Sequence, residues 1–186
     1  WPVLDDDERK AVGTEYKQIS AFDARKRGAA MVARRIAEHI EAHVMDKPRD
    51  WQPLVYCWRG GQRSGTLAWF LAQVGFRTQV LDGGYKAFRA LVVEQLSAWP
   101  TTMRFVVVAG RTGSGKTRLL QALGRQGAQV LDLEGLARHR GSILGGLPGE
   151  PQPGQKAFET AVWDVLRRFD HTRTVFVESE SRKIGA

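Results

Sequence analysis

The chain has 186 residues, 42% hydrophobic and 26% charged, with 20 glycines and 7 prolines; this ordinary globular composition excludes wholesale disorder, collagen and coiled coil and leaves room for one large domain or two small ones. Lysine and arginine number 28 against 20 acidic residues, a net charge of +8 that suits a polyanionic partner without specifying one. No apolar run approaches the roughly 18–20 residues of a membrane span, no signal-peptide core is present, and one cysteine cannot form an internal disulfide, which points to a reducing cytoplasm.

The sequence opens at Trp1 without an initiator methionine and stops at Ala186 just beyond a strand-like segment, so both ends read as cut. Asp5 to Asp7, ahead of Glu8 to Val12, read as the acidic first turn of a short helix. Ala21 to Met45 reads as a long helix: Met31, Val32, Ile36, Ile40 and Val44 recur at helical spacing, with Arg34, Arg35, Glu38 and Glu41 largely opposite. After Pro48 and Pro53, Leu54 to Cys57 is a short buried-strand pattern and Trp58 to Arg63 a glycine-containing loop. Ser64 is expected to cap the next helix, whose apolar face takes in Leu67, Ala68, Leu71 and Val74 and which Gly75 ends. Thr78 to Leu81 follows as a strand, Asp82 to Gly84 as a turn, and Tyr85 to Trp99 as a helix.

Pro100 is the expected domain boundary, dividing residues 1–99 from residues 100–186. Arg104 to Ala109 is a β-branched, apolar strand, followed by a glycine-rich loop and a helix to about Gln126. Val130 and Leu131 mark another strand, residues 141–155 a glycine- and proline-rich loop, Ala157 to Phe169 a helix and Thr174 to Glu178 a strand. Strands alternating with helices predict an α/β fold with two parallel-sheet domains.

Gly110 to Thr117 satisfies G-x-x-x-x-G-K-[ST] at every fixed position, with an apolar strand before it and a helix after it. Gly110, Gly113, Ser114 and Gly115 would turn backbone N–H groups toward an anion at a helix N-terminus. Lys116 would lie along the outer phosphates and the Thr117 hydroxyl would ligate Mg²⁺. The bland alternative is a strand-to-helix turn without a ligand. Asp132 and Glu178 each follow a strand; either could complete a magnesium site at the sheet's carboxyl edge or serve as a capping or surface carboxylate.

Cys57 stands where a strand gives way to a loop leading into a helix. A curled loop from Trp58 to Ser64, eased by Gly60 and Gly61, would aim N–H groups at the sulfur, while Arg59 and Arg63 add positive charge. Such surroundings favour the nucleophilic thiolate; the bland alternative is a small buried apolar residue. This stretch resembles the rhodanese family, which holds a persulfide on such a cysteine, and Leu81 to Phe88 resembles that family's closing strand, turn and helix. Many single-domain rhodaneses have a shorter loop, whereas Cys57 and Arg63 are six positions apart, a spacing shared with cysteine phosphatases of related fold. A roomier cradle, able to admit a tetrahedral anion, is expected.

A rhodanese-like half upstream of a P-loop NTPase-like half, together with the strings Asp7 to Thr14, Tyr16 to Gln18, Cys57 to Ser64, Gly83 to Ala87, Gly110 to Thr117, Asp132 to Ser142 and Glu180 to Gly185, resembles the tRNA 2-selenouridine synthase family. Asp132 to Ser142 is the most specific string, because generic phosphate-loop proteins do not carry it. By that resemblance the opening rhodanese strand lies before residue 1 and a further C-terminal region after residue 186. The family replaces the 2-thio sulfur of the tRNA wobble uridine with selenium, through an S-geranylated intermediate made with geranyl diphosphate, selenophosphate supplying the selenium. The resemblance implies that Cys57 attacks selenophosphate and carries the selenium, with Arg59, Gly60, Gly61, Arg63 and Ser64 holding the phosphate. It implies that the Gly110–Thr117 loop binds a diphosphate or a nucleotide, with no bound organic cofactor.

Basic clusters occur at Arg25–Arg27, Arg34–Arg35, Arg138–Arg140 and Arg167–Arg168. The first, second and fourth read as solvated helix faces. Arg138, His139 and Arg140 belong to the family string and are candidates for RNA or diphosphate contact. The competing readings are a plain rhodanese-type sulfurtransferase with an attached nucleotide-binding domain, a cysteine phosphatase, and a non-catalytic RNA- or nucleotide-binding module. Tyr56 precedes the cysteine where the phosphatases generally carry histidine, which weighs against the second.

Overall fold

The structure, a computed structural model, describes residues 1–111, 113–139, 149 and 151–179. They form two compact units, Trp1–Phe88 and Arg89–Ala186.

The first unit begins with α1 (Asp6–Gln18) and α2 (Ala21–His43). The acidic start of α1 is a full capping box: the Glu8 amide donates to Asp5 Oδ1 at 2.8 Å and the Asp5 amide to Glu8 Oε2 at 3.0 Å. Ser20 caps α2 by accepting from the Asp23 amide. Then come β1 (Leu54–Val55), α3 (Gln62–Val74), β2 (Gln79–Val80) and the start of α4 (Gly84–Thr102). The two strands run parallel, Leu54 opposite Gln79 and Val55 opposite Val80. Ile36 and Val44 of the α2 region, Val55, and Leu67 and Leu71 of α3 make the core, flanked by Val32, Ile40 and Phe76. This is the predicted stripe of α2 and, through Leu67, Ala68 and Leu71, most of the predicted face of α3, so burial follows the helical period; Val74, expected on that face, is exposed in the last turn. Gly75 ends α3 with a left-handed φ of 112°.

Ser64 does not cap α3. Gly61 holds that position without a side-chain cap bond, and Ser64 is buried in the first turn. Pro100 does not end α4 either; it lies within that helix, in the last turn. Trp99 and Met103 on either side of it are buried in the second core, and the Met103 amide donates to the Trp99 carbonyl at 2.8 Å. That anchoring carries the helix past the one lost hydrogen bond.

The second unit contains β3 (Phe105–Val108), α5 (Lys116–Arg125), β4 (Gln129–Leu131), α6 (Leu133–Ala137), α7 (Gln155–Leu166) and β5 (Val175–Glu178). Its sheet is parallel in the order β3-β5-β4. The core joins Leu131, Leu166, Val175 and Val177 to Trp99 and Met103. Register decides function here: Val108 pairs with Glu178, so the carboxylate closing β5 lies beside the strand end that opens into the phosphate loop. The α/β class and the parallel sheets agree with the alternation read from sequence. Residues 140–148, within the expected glycine- and proline-rich loop, lie outside the described residues. Among the described residues no helix is long and apolar enough to cross a membrane.

Candidate functional site

The sulfur of Cys57 is partly exposed at the end of β1. The Gly61 amide donates to Sγ at 3.3 Å and the Ser64 hydroxyl lies 3.3 Å from it. That hydroxyl is also 3.0 Å from the Gly61 carbonyl. With one hydrogen and two acceptors in reach, it is drawn to whichever carries more negative charge. The serine's placement in the first turn of α3 thus serves the sulfur rather than the helix end. Cys57, Arg63, Ser64, Trp58 and Tyr85 line one cavity of about 700 Å³. Arg59 is exposed and Arg63 half-buried at this loop.

Burial is the largest single influence on the thiol and pushes its pKa up. The Ser64 hydroxyl and the amides of Ser64, Arg59 and Gly61 pull it down and together prevail, from 9.0 to about 6. The amides and the hydroxyl, rather than the guanidinium groups, hold the sulfur ionised. The sign follows directly: the thiolate fraction rises as pH climbs through about 6 and is the reactive form above it. Alkylation of Cys57 by iodoacetamide will therefore rise through that midpoint and level off by neutral pH. Ser64→Ala will move the midpoint upward and slow alkylation at pH 6 by about threefold, because a charge-assisted hydrogen bond is lost; stopped-time mass spectrometry across a pH series reads both.

The loop is held from the other side by the start of α4. The Tyr85 amide donates to the Cys57 carbonyl at 2.8 Å and the Lys86 amide to the Trp58 carbonyl at 2.9 Å. Gly84 makes this approach possible: a Cβ there would meet the Cys57 carbonyl oxygen at 2.2 Å and the Gly60 nitrogen at 2.4 Å, at a φ of +60°. Gly84→Ala will therefore cost at least about 3 kcal/mol, adding left-handed strain to overpacking. Gly13→Ala, in open space on α1, will gain about 0.5–1 kcal/mol. Urea midpoints of the two variants test the contrast. The Gly83–Gly84 pair is legible in sequence as a turn; its role as the gap that lets backbone reach the cysteine loop is not, since that needs the partner in space.

In the second unit Gly115, at a φ of +85°, turns the chain into α5, and the Ser114 amide donates to the Arg111 carbonyl at 3.1 Å. Gly110 lies against Ser114, where a Cβ would meet the serine Oγ at 2.7 Å, and Gly113 also has positive φ. Lys116 Nζ is 3.1 Å from the Gly110 carbonyl and 3.3 Å from Glu178 Oε1. The Thr117 hydroxyl donates to Glu178 Oε2 at 3.1 Å. Glu178 is 8% exposed, so its charge is stabilised by these partners. The structure thus brings Lys116, Thr117 and Glu178 together at the N-terminus of α5.

Asp132 instead caps α6: its Oδ1 accepts the Gly135 amide at 2.8 Å. Arg138 ends α6 in the left-handed region at φ 52° and donates to the Pro151 carbonyl at 3.3 Å. The His139 amide donates to the Glu134 carbonyl, and Arg140 lies outside the described residues. Three basic clusters are engaged by neighbouring carboxylates. Lys26 pairs with Asp23 and Arg27 with Glu15; Arg35 pairs with Glu8 and Glu38; Arg167 and Arg168 share Asp164. Arg167 and Arg168 lie at a solvated helix end, as read from sequence, whereas Arg27 and the half-buried Arg35 tie α2 to α1 through Glu15 and Glu8. Among the described residues no group of three or more His, Cys, Asp or Glu side chains could hold a metal.

A cysteine loop on one parallel sheet followed by a phosphate loop on another defines a rhodanese-like domain joined to a phosphate-loop domain. Residues 18–91 match a family model described as a rhodanese-like domain, and residues 103–186 match one described as the tRNA 2-selenouridine synthase AAA domain. The chain is 37% identical over 191 residues to the tRNA 2-selenouridine synthase of Nitrosomonas europaea, covering 99% of this chain and 48% of that one. The corresponding figures are 37% over 187 residues for that of Aeromonas salmonicida, covering 99% and 49%, and 38% over 188 residues for that of Sulfurovum sp., covering 99% and 50%. The chain is thus similar to tRNA 2-selenouridine synthases over nearly its whole length and spans about half the length of the curated relatives it matches.

Proposed function

We propose that the protein is a tRNA-modifying transferase of the cytoplasm that converts the 2-thiouridine of a wobble position to 2-selenouridine. The observation that carries this reading is the sulfur of Cys57, held by the Gly61 amide and the Ser64 hydroxyl at 3.3 Å in an open cavity. The thiolate attacks the selenium of selenophosphate: the S–Se bond forms as the P–Se bond breaks, and the phosphorus keeps that electron pair and leaves as phosphite, its oxygens gathered by Arg59, Arg63 and the loop amides of Gly60 and Gly61. The base is activated first: transfer of a geranyl group from geranyl diphosphate to the 2-thio sulfur turns a poor leaving group at C2 into a thioether that departs as geranylthiolate. The terminal selenium then attacks C2 as geranylthiolate leaves, and a thiol reductant cleaves the S–Se bond, releasing 2-selenouridine and leaving Cys57 in a mixed disulfide that a second thiol reduces.

The phosphate loop takes the diphosphate in this reading. Lys116 and the amides at the start of α5 neutralise its charge. Thr117 and Glu178 bring two oxygen donors together, the kind of pair that holds Mg²⁺ with phosphate oxygens; the ion would supply charge neutralisation to the leaving diphosphate. Arg138 and His139, with Arg140 of the same string, would contact RNA backbone. Binding through phosphates will fall steeply with added salt.

Mass spectrometry of a 2-thiouridine anticodon stem-loop, incubated with full-length protein and with geranyl diphosphate and selenophosphate omitted in turn, tests the order of steps. Geranylated RNA is expected without selenophosphate, and 2-selenouridine only when both are present. Sulfur transfer from thiosulfate to cyanide with no RNA product would favour a plain rhodanese-type sulfurtransferase.

A further inference from the structure

We propose that Trp58, buttressed by Tyr85, is the stacking platform for the pyrimidine base whose C2 substituent is exchanged at Cys57. The inference rests on the tRNA reading above and names the recognition element of that site. Trp58 follows the nucleophile directly in sequence, is 47% exposed, and lines the same cavity as Cys57 and Arg63. Exposure alone does not single it out: Trp69 on α3 is 58% exposed and does not line that cavity. Trp1 lines it and is 52% exposed, but Trp58 alone of the two adjoins the nucleophile in sequence, and it is held from beside the cysteine loop. Its ring centroid lies 5.5 Å from that of Tyr85, tilted by 38°, and Tyr85 leans in turn on Phe88 at 6.1 Å. The backbones beneath both rings are tied together by the bonds from Tyr85 to Cys57 and from Lys86 to Trp58.

Rings 5.5 Å apart touch each other, so a base has no room between them and must lie on the outer face of the indole. An indole already fixed in place gives up little freedom when a base stacks on it. Unpaired RNA bases are recognised in this way, on aromatic faces beside cationic side chains that take the phosphates; Arg63 lines the same cavity as Trp58. Trp58 is the contact residue and Tyr85 a positioning residue.

The test is a binding cycle on full-length protein, read by fluorescence anisotropy. It compares wild type, W58F and W58L against a stem-loop with 2-thiouridine at the wobble position and one abasic there. Wild type is expected to prefer the intact base by about tenfold, W58F to keep most of that preference, and W58L to fall within about twofold of none. The pH profile of Cys57 alkylation should stay in place in both variants. A preference that survives W58L, or an alkylation profile that moves with it, overturns the platform. Binding is read without turnover, so failure to form 2-selenouridine would count against the proposed reaction while the measured base preference still decides for or against Trp58.

Discussion

On the proposed reaction, Cys57→Ser in the full-length protein is expected to reduce selenium incorporation into a 2-thiouridine stem-loop by at least about a thousandfold, because a serine hydroxyl is not ionised near neutral pH and cannot take the thiolate's part. RNA affinity should stay within about twofold of wild type, since the substitution removes one atom's chemistry and no phosphate contact. Mass spectrometry of the RNA gives the first quantity and a filter-binding titration the second. A pure RNA- or nucleotide-binding module would show no functional change at all. The loop geometry argues for the transferase: the Ser64 hydroxyl and the Gly61 amide converge on Sγ and hold the thiol at a pKa of about 6. A merely structural cysteine would not need an amide and a hydroxyl converging on its sulfur.

The second large effect is expected at the phosphate loop. Lys116→Ala will lower kcat/KM for the diphosphate-dependent step by about a hundred- to a thousandfold, the usual cost of removing a preorganised cation from a developing phosphate charge. It will also strand Glu178, which is 8% exposed and has Lys116 as its close cation at 3.3 Å, so stability should fall by about 1–3 kcal/mol. The double variant Lys116→Ala with Glu178→Gln, read against Glu178→Gln alone because that carboxylate is itself proposed to hold Mg²⁺, separates the two losses. It should recover most of the stability and none of the turnover, measured by denaturation and by formation of geranylated stem-loop. If the double variant regains turnover, Lys116 acts only as the partner of Glu178.

Much of this is legible in the chain before any coordinate. The apolar stripe of α2 and the face of α3 follow from spacing, and the two loops follow from short strings whose residue types dictate their backbone. What the sequence hides is three-dimensional partnership. Ser64 has the residue type of a helix cap, and only its depth beside Sγ shows that its hydroxyl serves the sulfur. Pro100 reads as a break because a lone proline usually is one; the buried side chains of Trp99 and Met103 override it. Leu54 to Cys57 reads as one strand, yet pairing stops at Val55, since the Cys57 carbonyl goes to the Tyr85 amide instead. The short helix α6 escapes a reading by periodicity because its signal is a single capping contact, Asp132 to Gly135. Glu178 stands out as a candidate from its place after a strand, but its two partners follow from register, which no local pattern supplies.

The single hydrogen of the Ser64 hydroxyl, poised between Sγ and the Gly61 carbonyl, would make the loop responsive to the chalcogen atom that the proposed reaction places on Cys57. Once the sulfur carries a further atom, the negative charge moves one bond outward and the serine proton turns back to the peptide oxygen. The amides are then left to follow the terminal chalcogen, so loading rewires the donors around the cysteine without any movement of the chain.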